Sequence, residues 1–372
     1  MIDKSTCLKF YKRKEIQEAL IKHAPNKEIG MRHGESFGKR PDVLNYPRDV
    51  IELALQNLTS FHASEEIWSN PLSLNSSMSK TELEDLRIGW DLVLDIDCKQ
   101  LEYSKICAEV IIQFLQYCDL KNFSIKYSGN KGFHIGVPFE AFPKKIGNQL
   151  TKTLFPEAAR KIAFYIKENI KEELGRRILA YENNNFNAIQ EKIALPTNEI
   201  IRYNISEFGD KITKLDVNKF LEIDTVLISS RHLYRMPYSL HEKSGLVSLP
   251  LTMDQLKNFT KDMARPENIA PPLLPFLNRS IVDESARRLL VQAYDFKIDI
   301  EKEKPKRNLN QQYDELNLSS PIKEEFFPPC MKLILKGIED GKKRSVFILS
   351  NYLGKIGWNQ EQIEEYIHQW NS

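Results

Sequence analysis

Asp95 and Asp97 close an apolar run, Trp90-Asp91-Leu92-Val93-Leu94-Asp95-Ile96-Asp97. Residues two apart in a strand face the same side, so both carboxylates would reach one pair of hard divalent cations, Mg2+ or Mn2+, which prefer oxygen ligands. Alone, such a pair also fits a solvated strand end. The Leu-Val-Leu run before it argues for a buried strand with an open tip, where charge without a partner is costly.

A second group is Ser128-Gly129-Asn130-Lys131-Gly132-Phe133-His134. Gly129 and Gly132 would let backbone N–H groups approach an anion, while Ser128, Lys131 and His134 add donors. The plain alternative is a hairpin turn with His134 as a satisfied core residue. Farther on, Glu222-Ile223-Asp224 precedes a basic loop from Arg235 to Gly245. Arg235 and His241 are candidates to grip a triphosphate tail, and Asp224 is a candidate third metal ligand. Acidic pair, phosphate turn, further acid and basic loop, in that order, are the parts a two-metal phosphoryl transferase needs.

These groups need a scaffold, and apolar periodicity supplies its outline. Residues 8–23 predict one amphipathic helix stopped at Pro25-Asn26, and 48–56 a further helix. Ser64 followed by Glu65 and Glu66 predicts a helix start within 60–68. Then come a buried strand over 90–97, a helix over 103–118, and two strands within 123–137 around the glycine turn. A long helix is expected over 155–176 and short strands over 221–252. The polar stretch 297–320 reads as a linker, and the C-terminal end carries two helical patterns split by Gly357-Trp358-Asn359.

Composition bounds the class. With 372 residues, 41% apolar and 28% charged, the chain has the profile of a soluble globular protein with more than one unit. A net charge of +2 gives no bulk signature of nucleic-acid binding, so any basic groove must come from local segregation. Cys7, Cys98, Cys107, Cys118 and Cys330 lie far apart with no CxxC pair, which suits a reducing, cytoplasmic setting. The start MIDKSTCLKFYKRKEIQ has no apolar export core, and no run is long enough to span a membrane.

DLVLDID, SGNKGFHIGVP and LYRMPYSLHEKSGL, in this order, resemble the three successive motifs of the archaeo-eukaryotic primase family, in its archaeal small-subunit branch. FGKRPD and TSFHASEEIWSNPL are similar to that branch too, so the likeness runs over roughly residues 1–252. The resemblance implies that Asp95, Asp97 and Asp224 hold two Mg2+ or Mn2+ ions, and that Ser128, Gly129, Lys131, His134, Arg235 and His241 contact the incoming nucleotide. It implies template DNA and nucleoside triphosphates as partners, a separate primase large subunit, and synthesis of short RNA or DNA primers for replication.

Two departures stand out. The family usually carries a zinc knuckle between the first two motifs, whereas Cys98, Cys107 and Cys118 are widely spaced, so no structural zinc is expected. The step from Asp224 to Arg235 is one residue short of the family pattern, which keeps Asp216 open as an alternative third ligand.

The segment from Phe327 to Trp358 resembles the start of the large subunit's C-terminal domain, in which the equivalent of Cys330 would ligate an iron–sulfur cluster. One thiolate where four are usual predicts no such cluster within this chain. Lys342-Lys343-Arg344 is the candidate phosphate contact there. The expected fold is α/β to α+β: a mixed-sheet catalytic core over 1–296 flanked by helices, a linker over 297–325 and a small helical module over 326–372. A repair or plasmid primase-polymerase would use the same sites, and a non-catalytic nucleic-acid scaffold is the alternative from another class.

Overall fold

The computed structural model describes residues 2–34, 36–205, 211–223, 228–296, 321–337 and 342–371. The chain divides into two compact units, Met1–Lys297 and Ile298–Ser372.

In the first unit the strands are, in order, β1 (Ile29–His33), β2 (Ser36–Phe37), β3 (Ser60–Ser64), β4 (Glu66–Trp68), β5 (Arg87–Trp90), β6 (Leu92–Cys98), β7 (Ser124–Tyr127), β8 (Phe133–Val137), β9 (Lys145–Ile146), β10 (Gln149–Leu150), β11 (Ile201–Ile205), β12 (Lys211–Leu215), β13 (Leu221–Ile223), β14 (Leu233–Arg235) and β15 (Pro250–Leu251). Two sheets carry the architecture, one ordered β13-β6-β8-β7-β15 and the other β14-β3-β1-β2. All their pairings among the described residues are antiparallel, so the fold is α+β.

Alternation along β6 explains how the sheets stack. Leu92, Leu94 and Ile96 are buried in the core shared with helices Leu101–Tyr117 and Glu157–Tyr181. Val93 points the other way, into the core built by Phe61 and Ala63 of β3 and Tyr234 of β14. Asp95 and Asp97 share the face of Val93 by the period-two rule, so they look from the five-stranded sheet towards the four-stranded one.

Two elements differ from expectation. The predicted helix over 8–23 is two helices, Lys4–Tyr11 and Lys14–His23, with Arg13 extended between them. Arg13 is anchored there by donating to the carbonyls of Pro266 and Ile269, at 3.0 and 2.5 Å, which a continuous helix would not allow. Ser64 does not start a helix, because residues 60–68 form β3 and β4. Its hydroxyl accepts from the Glu28 N–H at 3.1 Å and donates to the Glu66 carbonyl at 2.7 Å, so sheet pairing takes the capping oxygen.

Among the described residues of the second unit, helices Pro329–Leu335, Lys342–Lys355 and Gln360–Asn371 make three rather than two helical segments. Phe327, Leu349 and Leu353 are buried, and the Phe327 ring meets the Tyr352 ring edge-on at 5.3 Å. Cys330 is exposed. The side chains of Lys342, Lys343 and Arg344, and the linker expected over 297–320, lie outside the described residues. Among the described residues no helix is long and apolar enough to cross a membrane.

Candidate active site

The β6–β8 pairing sets Asp95 directly opposite His134, with His134 Nε2 3.3 Å from Asp95 Oδ1. The two groups approach without hydrogen-bond alignment, and Asp95 Oδ1 remains buried with no hydrogen-bond partner. The turn before β8 must come close to the tip of β6. At Gly132 a Cβ would lie 1.7 Å from the Ile96 carbonyl oxygen and 2.7 Å from Asp97 Oδ1, so only glycine fits. Ser128 organises this turn: its N–H donates to the Gly132 carbonyl at 2.9 Å, and its hydroxyl accepts from the Gly132 N–H at 3.3 Å.

The basic loop packs against the turn. Gly129 has φ +102°, a Cβ there would lie 2.9 Å from His241 Cβ, and the Ser244 hydroxyl donates to the Gly129 carbonyl. His241 Nδ1 accepts from the N–H groups of Lys243 and Ser244, both at 3.3 Å, which leaves the proton of the neutral ring on Nε2. Burial and the neighbouring Arg235 hold the His241 pKa down at about 4.

One cavity of about 220 Å³ is lined by Asp95, Asp97, Ser128 and His134 together with Arg235 and His241. Its lining also includes His62 and Glu65 from the β3 side, and His232 beside β14. His232 Nδ1 is 3.1 Å from Glu65 Oε1. Arg235 is already engaged: it pairs with Glu242 at 2.8 Å and donates to the Leu240 carbonyl at 2.7 Å. It reaches the cavity as half of a buried ion pair, with part of its donor set left for a ligand.

Burial, reinforced by Asp95 and by Glu222 directly opposite on β13, pushes the Asp97 carboxyl up to about 6, against the pull of Lys131. Asp95 is also desolvated, yet His134 and Lys126 bring it below the usual carboxylate value. A carboxylate pair in mutual repulsion, with one oxygen buried and unbonded, is a donor set that fits a hard cation. Among the described residues no group of three or more His, Cys, Asp and Glu side chains gathers as a metal site.

The other expected residues divide. Gly129 supports the His241 loop from behind, and Lys131 acts on Asp97 by charge but is not part of the cavity lining. Asp224 lies outside the described residues; Ile223 before it pairs with Ile96, between the two aspartates. Asp216 is half-buried ahead of the short turn Val217–Lys219 and does not line the cavity. His62, Glu65 and His232 were missed by sequence reasoning. For His62 and Glu65 the signal was the dense FHASEE run, whose contribution depends on the β3–β14 pairing.

The acidic strand tip, the glycine turn and the loop carrying Arg235 and His241 thus meet at one cavity between two antiparallel sheets. Residues 94–253, which carry most of it, match the family model described as DNA primase small subunit. The DNA primase small subunit of Pyrobaculum aerophilum is 31% identical over 187 residues, covering 45% of this chain and 54% of its own length. That of Pyrobaculum arsenaticum is 30% identical over 203 residues, covering 47% and 57%. The chain thus spans little more than half the length of these two relatives. An uncharacterized protein of Methanocaldococcus jannaschii is 22% identical over 367 residues, covering 89% of this chain and 71% of its own. Among solved structures, the polymerase domain of Mycobacterium tuberculosis ligase D in complex with DNA overlaps at a TM-score of 0.40 and 13% identity, over 78% of this chain and 89% of that one.

Proposed function

We propose that the chain is a primase catalytic subunit: a nucleotidyltransferase that joins nucleotides on a DNA template into short RNA or DNA primers. The observation that carries this reading is the single cavity where the Asp95–Asp97 tip faces Ser128, His134, Arg235 and His241, within a segment that matches the DNA primase small subunit model. Asp95 and Asp97, with Asp224 as third ligand, would hold two Mg2+ or Mn2+ ions, which neutralise developing charge on the attacking and leaving oxygens. His241 Nε2–H and the uncommitted Arg235 donors would orient the triphosphate tail from the opposite wall. The Ser128 hydroxyl holds the turn at the spacing the tail requires. The interactions of Asp95 with His134 and Lys126 favour its charged form against burial.

A large subunit is proposed as partner, and the 326–372 module as an aid to binding template and the first nucleotide. The test is incorporation of labelled nucleoside triphosphates on a single-stranded template with Mg2+ or Mn2+, from de novo starts and from annealed primers, comparing ribo- with deoxyribonucleotides. Metal-dependent, template-directed product supports the reading. Absence of product in both formats, with the large subunit supplied, would sink it.

A further inference from the structure

The wall opposite the acidic pair contains a ring to which the proposed chemistry assigns no role. His62, on β3, is 6% exposed and lines the cavity. Its Nδ1 is buried with no hydrogen-bond partner. Leaving such a nitrogen unpaired costs free energy, so its retention in a cavity wall points to a ligand.

The surroundings state the sign of that ligand. Arg235 sits directly opposite His62 across the β3–β14 pairing. After burial itself, the groups acting most strongly on the ring are Arg235, Arg32, Lys126 and His241, all of them basic. The Phe37 ring packs edge-on against the imidazole at 5.1 Å and restrains its plane. A restrained donor in a basic, desolvated wall is complementary to an anion.

We propose that His62 is a binding residue for the incoming nucleotide, donating its Nδ1–H to a nonbridging oxygen of the triphosphate tail; this rests on the nucleotidyltransferase reading above. A neutral imidazole has one N–H, and a polyanion beside Nδ1 selects the tautomer that places the proton there.

The test compares the wild-type protein with H62F and H62N in binding of inorganic tripolyphosphate with Mg2+ and in steady-state incorporation of nucleotide. Phenylalanine keeps the ring and the Phe37 contact but has no nitrogen, whereas the asparagine amide sets an N–H where Nδ1 stood. H62F is expected to weaken tripolyphosphate binding and raise KM about tenfold with kcat within about twofold, the scale of one hydrogen bond to a charged group, and H62N to recover most of the loss. Wild-type affinity in H62F, or equal losses in two well-folded variants, would overturn the assignment. If the wild-type protein neither binds tripolyphosphate nor incorporates nucleotide, the enzyme reading fails and this assignment with it, an outcome distinct from a wild type that binds and variants that do not differ.

Discussion

At the scale of single residues, the acidic tip of β6 carries the sharpest expectation. Changing Asp95 or Asp97 to Ala should abolish incorporation while circular dichroism and melting stay native, because the change removes a cation ligand and also relieves carboxylate repulsion. Incorporation near the wild-type rate in either variant would refute the metal role. Gly132→Ala should instead act on the fold: a methyl group 1.7 Å from a carbonyl oxygen must displace the turn or the strand tip. A loss of about 2–4 kcal/mol in urea unfolding is expected, and a stability unchanged from wild type would show that the turn yields freely. Asp95, Asp97, Ser128 and His134 were legible in the sequence because they lie on one strand–turn–strand stretch, where spacing translates directly into geometry. The pairing of Arg235 with Glu242 was not, since a basic residue in a loop looks alike whether or not a carboxylate seven positions on folds back to meet it.

At the scale of elements, the β6 strand, the Leu101–Tyr117 helix and the β7–β8 hairpin agree with the sequence pattern because their neighbours are local or fully apolar. The 60–68 segment escaped because its partners, β1, β14 and β5, come from distant stretches. Local capping chemistry at Ser64 lost to a ladder that sequence spacing does not reveal. For the C-terminal helices the expectation is functional: without 321–372, the enzyme should still extend a primer but start new chains poorly. Bringing two free nucleotides together costs more translational and rotational entropy than extending an annealed 3′ end, so initiation depends most on added positioning surface. Product assays from both starting points check this, and equal loss in both would assign the helices to stability.

At the scale of the whole molecule, the buried histidines set the response to acid. Burial depresses His62 and His134, and His241 is held at about 4. Between about pH 6.5 and 4 the unfolded chain therefore binds more protons at these positions, and stability falls as pH falls. Asp97 works in the opposite sense: raised to about 6 from 3.8, it takes a proton in the folded state first and adds stability on acidification. His23 is depressed by burial as well, and these four histidines outnumber the carboxyls that burial raises, Asp97, Glu65 and Glu66, so urea midpoints in metal-free buffer should drop from pH 7 to pH 5, and drop more steeply in D97N. A flat profile would contradict the histidine burial.

A connected set of charges also ties the sheets together. Lys27, fully buried, contacts Asp91 at 2.8 Å and the Ser64 carbonyl at 2.6 Å, so it joins the end of β3 to the start of β6. Arg279 meets Asp91 at 2.5 Å and Glu140 at 3.1 Å. Although burial opposes ionisation, Arg279 and Lys27 hold Asp91 down at about 2. Water solvates charge less favourably as temperature rises, so the penalty for keeping these groups dry shrinks on heating while their mutual attraction persists. The seam between the sheets should therefore weaken less with heat than the apolar packing around it, and Asp91→Asn should narrow the working temperature range from its upper end.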